Sequence, residues 1–450
     1  MLKRKVEKEI DRWLSGDDRA LLVDGVRACG KTYIIRACLD RGNFDYVEFN
    51  LLKQPDVLNA FVTAADINQL VIQLELLADH RLTPHKTIIF LDEIQEYKEA
   101  VTKIKFLNED KRYRYILSGS LLGVEITGVR SAPVSHLEIL EMYPMDLMEF
   151  LQVYNVSDEL IENLKECYEK RIPVDPVIHE KLMNLFRMYL LIGGMPQAVD
   201  KYLSTSQIDD VMDIHKSIEA LYRLDFTKYE QENRKLILEN IYDLIPAELN
   251  SENRRFHFAD IRKNLRYERI ADSFVWLWKA GVALPVYNTS EPSVPFSINE
   301  NSSLFRLFLS DVGMLTTMYG KTAKAKILQK DSGMNAGAVY ENFAAQELKS
   351  KGYDLYYYTG KKYGELDFLI EQSGSSLPIE IKSGRNFKKH AALDHVMEEK
   401  EKYGIKEAYV FADTNVSKEG NIVYLPLYMM VFLNEDDVPF PDISVEALSF

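Results

Sequence analysis

Leu21 to Thr32 reads LLVDGVRACGKT, an apolar run that enters a loop bounded by Gly25 and Gly30 and closed by Lys31 and Thr32. The spacing G-x-x-x-x-G-K-T predicts a phosphate-binding loop. Two glycines let the backbone curl so that successive N–H groups face one centre, where the β- and γ-phosphates of a nucleotide sit. Lys31 is placed to touch those phosphates and Thr32 to hold Mg²⁺. A helix from about Lys31 to Leu39 then adds its positive N-terminal end to the same spot. The expected ATP site is Gly25, Val26, Arg27, Ala28, Cys29, Gly30, Lys31, Thr32 and Tyr33. Cys29 reads more simply as a small residue that fits the loop than as a reactive thiol.

Two further stretches belong with this loop. Thr87 to Gln95, TIIFLDEIQ, is an apolar β-former run ending in carboxylates, the pattern of a buried parallel strand. Asp92 is assigned to Mg²⁺ and Glu93 to the attacking water, the division of labour of such sites. Alone, the pair reads as a helix cap; beside the loop it reads as catalytic. Tyr113 to Ser120, YRYILSGS, is a third strand whose Ser118 or Ser120 is placed to feel a γ-phosphate, with a plain Ser-Gly turn as the equal alternative. Arg130 is the candidate arginine finger and Arg27 its competitor. A finger supplied by a neighbouring copy looks the same in sequence, so the oligomeric state stays open.

The combination GVRACGKT, LDEIQ and LSGS with YPMDLMEF (Tyr143 to Phe150) and LIGGMPQAV (Leu191 to Val199) resembles the AAA-type bacterial and archaeal ATPases that carry a carboxy-terminal domain of unknown function. The resemblance spans nearly the whole chain. That family usually has glutamine and an aliphatic residue where Ala28 and Cys29 stand; Lys31 and Thr32 are kept. It implies an ATP-binding α/β core followed by a helical lid, and no particular substrate.

At 450 residues, with 46% hydrophobic and 28% charged content, the chain exceeds what one core usually organises. The expected units are a P-loop ATPase core over 1–155, a helical lid over 156–230, a winged-helix-like segment over 231–318 and a nuclease-like domain over 319–450. The amino-terminal MLKRKVEKEIDRWL has charges throughout, and no run reaches membrane-spanning length, so the expected setting is cytoplasmic with no membrane partner. Three scattered cysteines lack metal-ligand spacing and fit a reducing compartment. The net charge of −14 argues against a protein that coats nucleic acid.

Within the third unit, Ser251 to Ile270 is locally basic, with Arg254, Arg255, Arg262, Lys263, Arg266 and Arg269 against Glu252, Asp260 and Glu268. DNA or RNA contact is one reading. The helix that would enter a groove, Tyr267 to Ala280, offers only Arg269 and Lys279, so packing between domains is the favoured one.

The last unit holds a second constellation. Gly364 to Ile370, GELDFLI, and Leu377 to Lys382, LPIEIK, read as a hairpin joined by EQSGSS. Strict alternation puts Glu365 with Asp367 and Glu380 with Lys382, while Leu366, Phe368, Ile370, Ile379 and Ile381 point the other way. Asp367 and Glu380 are candidate Mg²⁺ ligands, Lys382 a candidate activator of water, and Glu341 on the preceding helix completes the cluster. This D…ExK arrangement resembles the restriction-endonuclease-like fold, which implies those roles. The plainer alternative is the solvated face of a half-exposed hairpin.

The fold class is therefore α/β multidomain: an AAA-like parallel-sheet P-loop core with lid, a winged-helix-like middle and an α/β nuclease-like end. Two functions follow. In one, an ATPase gates Mg²⁺-dependent cleavage or binding of nucleic acid. In the other, ATP drives a regulatory switch whose later domains only bind a partner.

Overall fold

The computed structural model describes residues 2–97, 100–120, 136–229, 232–251, 254–261, 270–330, 336–360, 364–384 and 386–434. Five apolar runs form a parallel sheet: β1 (Ala20–Gly25), β2 (Tyr46–Asn50), β3 (Ile88–Asp92), β4 (Arg114–Gly119) and β5 (Leu137–Met142), in the order β2-β3-β4-β1-β5. Because side chains alternate along a strand, β1 sends Ala20 and Leu22 to one face and Leu21 and Val23 to the other. The first face packs on helices Pro55–Thr63, Ile67–Leu77 and Ala100–Asp110, and the second on helices Glu7–Leu14 and Lys31–Arg41. Burial on both faces explains why β3 and β4 read as unbroken apolar stretches. All five strands run the same way, so the polar residues that end β1 to β4 gather along one edge.

The stretch expected as a helical lid holds helices Asp158–Lys170, Pro176–Ile192, Pro196–Thr205 and Ile208–Tyr229, and the glycines of LIGGMPQAV, Gly193 and Gly194, separate the second from the third. The second and third each open on a proline, which suits the first helical turn because no intrahelical bond is lost there. A Cβ on Gly194 would lie 2.0 Å from the Met145 carbonyl oxygen, so only glycine allows the YPMD stretch to lie against the lid.

The later strands form one eight-stranded mixed sheet. With β6 (Ala283–Thr289), β7 (Glu300–Leu309), β8 (Tyr356–Gly360), β9 (Gly364–Gln372), β10 (Ser375–Lys382), β11 (Ala408–Ala412), β12 (Ser417–Glu419) and β13 (Ile422–Pro426), the order is β12-β13-β11-β10-β9-β8-β6-β7. Strands β6 and β7, from the segment expected to be winged-helix-like, thus join the sheet of the last segment, through the parallel pairing of Tyr287 to Thr289 with Tyr356 to Tyr358. Residues 262–269, which include Arg262, Lys263, Arg266 and Arg269, lie outside the described residues. The hairpin also differs from strict alternation. Tyr356 opposes Leu369 and Tyr358 opposes Leu366, so β9 carries one extra residue, a bulge between those pairs. Leu366 therefore packs with Leu369 and Leu393, while Phe368 and Ile370 pack with Ile379 and Ile381 on the other face.

Candidate functional site

The loop after β1 is shaped by local sterics. A Cβ on Gly25 would lie 2.1 Å from the Met142 carbonyl oxygen, and Gly30 takes φ +100° to turn into helix Lys31–Arg41. Lys31 is buried, and its Nζ donates to the carbonyl oxygens of Gly25 (2.7 Å) and Val26 (3.0 Å), which holds the ammonium inside the loop it closes.

Asp92 leaves the end of β3 with its carboxylate between three donors. Thr32 Oγ1 donates to Oδ1 at 2.9 Å, Ser118 Oγ bonds the same oxygen, and Asn50 Nδ2 donates to Oδ2 at 2.8 Å. Thr32 and Asp92, the two expected Mg²⁺ residues, are thus in contact. Glu93 takes φ +57°, which turns it away from the strand direction, and its carboxylate accepts from Gln95 Nε2, which also lies 3.5 Å from Ser120 Oγ. These side chains line a cleft of about 740 Å³ between the strand ends and lid helix Pro196–Thr205, a size suited to a nucleotide. Tyr33, Ala28 and Arg27 border the same cleft.

Sequence reasoning missed several members. Asn50 ends β2 as Asp92 ends β3, a polar residue closing an apolar run, and that pattern was its signal. Arg4 had none. It sits 145 residues from Glu149, yet its guanidinium donates to Glu149 Oε2 (3.1 Å), Tyr143 O (2.7 Å) and Cys29 O (3.0 Å), tying the loop to the YPMDLMEF stretch. Gln197 and Asp200 enter the cleft from the lid. Arg27, a candidate finger, pairs with the buried Asp225 of helix Ile208–Tyr229. Arg130 lies outside the described residues.

The second constellation also converges, with company that the sequence did not announce. Asp367 Oδ2 accepts from the Ile381 amide at 2.9 Å, and Lys382 Nζ donates to Glu380 Oε1 at 2.6 Å. Arg254 pairs with Glu341 and lies 3.3 Å from Asp367. The fully buried Arg306 lies 3.9 Å from Glu341, 3.6 Å from Asp367 and 2.6 Å from Glu365. Burial, and then the charge of Asp367, pushes both Glu341 and Glu380 up to about 8. Burial opposes the charge on Lys382, but Glu380 outweighs it and raises the lysine. Among the described residues, no three His, Cys, Asp or Glu side chains are grouped so as to hold a metal ion. Arginine guanidinium groups stand between the carboxylates instead. Glu341 Oε2 and Glu380 Oε2 are buried carboxylate oxygens without a hydrogen-bond partner, with Arg306 3.9 Å from the first of them.

Among the described residues, no helix is long and apolar enough to cross a membrane.

Residues 17–151 match the family described as AAA domain, residues 183–325 a domain of unknown function (DUF8612) and residues 336–430 a second (DUF4143). No curated protein matched the sequence. Similar solved structures include a Walker-type ATPase of Pyrococcus abyssi, at 13% identity and a TM-score of 0.42 over 71% of this chain and 96% of that one. The Orc1 protein of Aeropyrum pernix in complex with DNA gives 15% and 0.32 over 73% and 93%. The RuvB Holliday junction branch migration motor of Thermotoga maritima gives 14% and 0.27 over 62% and 87%. The glycine-bounded loop and the parallel strand ends that face it lie within residues 17–151, the part of the chain that matches the AAA domain, and together they form a P-loop core.

Proposed function

We propose that this protein binds ATP with Mg²⁺ in the cleft above β1, β3 and β4, hydrolyses it, and uses the nucleotide state to switch how its later segments engage a partner. The observation that supports this is the meeting of Lys31 and Thr32 from one helix, Asp92 and Glu93 from the end of β3, and Ser118 from β4 at one edge of a parallel sheet. Lys31, released from the loop carbonyls, binds the β- and γ-phosphates. Thr32 and Asp92 hold Mg²⁺, which neutralises phosphate charge when bound. Glu93, oriented by Gln95, positions the attacking water, and Ser118 reports on the γ-phosphate through Asp92.

The test is equilibrium binding of a fluorescent ATP analogue together with phosphate release. Lys31→Ala is expected to lose nucleotide affinity. Glu93→Gln is expected to keep binding and to lose turnover by about 10²-fold or more. Normal turnover in Glu93→Gln would remove that residue from the water-positioning role.

A second reading concerns the last segment. The buried oxygens of Glu341 and Glu380 that carry no hydrogen bond favour Mg²⁺-dependent cleavage of DNA or RNA, with Asp367, Glu380 and Glu341 as ligands and Lys382 activating water. Cleavage of labelled DNA and RNA with Mg²⁺ or Mn²⁺, with and without ATP, beside Asp367→Ala, separates the two. Cutting that needs Asp367 supports a nuclease; no cutting beside intact ATP hydrolysis leaves the switch.

A further inference from the structure

Four carboxylates, Glu341, Glu365, Asp367 and Glu380, face four cations, Arg254, Arg255, Arg306 and Lys382, in one cluster where β9 begins and β10 ends. The cations are of two kinds. Arg306 comes from β7, its side chain only 1% exposed and stacked over the Tyr357 ring at 4.5 Å, and Lys382 belongs to β10 itself. Arg254 and Arg255 instead reach in from the segment after helix Glu232–Leu249, with side chains 26% and 31% exposed. Arg254 takes φ +50°, an unfavourable backbone for a residue with a side chain, so the chain is bent to deliver this guanidinium between Glu341 and Asp367. Arg255 covers Glu365 at 2.6 Å and reaches Thr359 Oγ1 at 3.1 Å.

Removing those two residues takes Arg254 from Glu341 and Asp367 and Arg255 from Glu365, and leaves Arg306 and Lys382 as the cations facing the four carboxyl groups. Two buried carboxylate oxygens, Glu341 Oε2 and Glu380 Oε2, already lack a hydrogen-bond partner. Uncompensated buried charge is costly, and a divalent cation has the charge and the preference for oxygen ligands that would relieve it.

We propose that Arg254 and Arg255 form an internal cationic plug that stands in for a divalent cation, holding the carboxy-terminal cluster closed until the segment that carries them withdraws. The plug rests on the reading of Glu341, Asp367 and Glu380 as a cation-binding cluster. The segment is positioned to respond to the nucleotide cleft. Helix Glu232–Leu249 packs on helix Ile208–Tyr229, whose Asp225 holds Arg27 of the phosphate loop.

The experiment is calorimetric titration of the nucleotide-free protein with Mn²⁺, comparing wild type, Asp367→Asn alone, the double variant Arg254→Gln/Arg255→Gln, and that double variant carrying Asp367→Asn. The expected result is at least about tenfold tighter Mn²⁺ binding in the double variant than in wild type, abolished by Asp367→Asn. Equal binding in wild type and the double variant, lost in both with Asp367→Asn, would overturn the plug while leaving the cation-binding reading intact. No Asp367-dependent binding in any form would overturn both. Circular dichroism and melting temperature establish that each variant is folded. Should the double variant fail to fold, Arg254→Gln alone carries the same expectation at about threefold, since Arg255 stays on Glu365.

Discussion

At the residue scale, the two acidic groups in this protein live in opposite settings. Asp92 is buried yet receives three hydrogen bonds, from Thr32, Asn50 and Ser118. Glu380 has Lys382 on one oxygen and nothing on the other, and burial with Asp367 nearby pushes it up to about 8. The consequence for stability has a definite sign. A carboxyl whose folded pKa exceeds its unfolded value binds protons preferentially in the native state, so that contribution is complete below about pH 4.5 and is lost as pH rises through about 8. Glu380→Gln carries no such charge. Its stability relative to wild type is expected to rise with pH across that window, at a limiting slope of about 1.4 kcal/mol per pH unit. Urea unfolding of both proteins at pH 5 and pH 8 measures it, and a pH-independent difference would remove Glu380 as a buried titrating group. Asn50 makes the complementary case: its role depends on Asp92 lying 42 residues away, and only the end of an apolar run hinted at it.

At the scale of elements, two sequence motifs turn out to be one structural joint. Met145 of YPMDLMEF donates its amide to the Gly194 carbonyl of LIGGMPQAV at 2.7 Å, and Tyr189 OH donates to the Met145 carbonyl at 2.6 Å. Asp311 closes the joint by accepting from the Gly194 amide at 2.6 Å and from the Met314 amide at 2.9 Å, so one carboxylate caps helix Val312–Met318 and fixes the lid turn. Gly194→Ala must force these backbones apart, and a loss of about 1–3 kcal/mol in unfolding free energy is expected. An unchanged denaturation midpoint would show that the joint yields freely. Strands were legible from apolar alternation, but the bulge in β9 was not. A bulge depends on which residues the partner strand offers, and β8 is unknown to a reader of β9 alone.

At the scale of the whole molecule, the phosphate loop is gripped from three sides. Arg4 holds its Cys29 carbonyl, Arg27 reaches Asp225 on the lid side, and a Cβ on Gly281, ahead of β6, would lie 3.2 Å from the Val26 amide nitrogen. These contacts join the loop to helix Ile208–Tyr229 and to the turn that leads into the eight-stranded sheet. Farther on, Glu149 bonds Arg4 while the neighbouring Leu147 amide donates to Glu347, on the helix that also carries Glu341. If the Arg27–Asp225 pair links nucleotide and lid, then Arg27→Ala, Asp225→Ala and the double variant will show non-additive losses of ATP affinity, with a coupling of about 0.5–3 kcal/mol. Additive losses would show that the pair is only structural.

The sequence by itself determined the parts whose chemistry is local. A phosphate loop needs two glycines, a lysine and a threonine within eight consecutive residues, and a strand that ends in Asp92 and Glu93 announces where those carboxylates emerge. The hairpin holding Asp367, Glu380 and Lys382 was legible for the same reason, since its residues lie within 16 positions of chain. Only the tertiary structure decided what faces them. Arg254 lies 87 residues from Glu341 and 113 from Asp367, Arg4 lies 145 from Glu149, and β6 pairs with β8 across nearly 70 residues. Such pairings follow from how sheets stack and helices cross, not from any spacing along the chain, and an arginine in a locally basic stretch carries no mark of the carboxylate that it will neutralise.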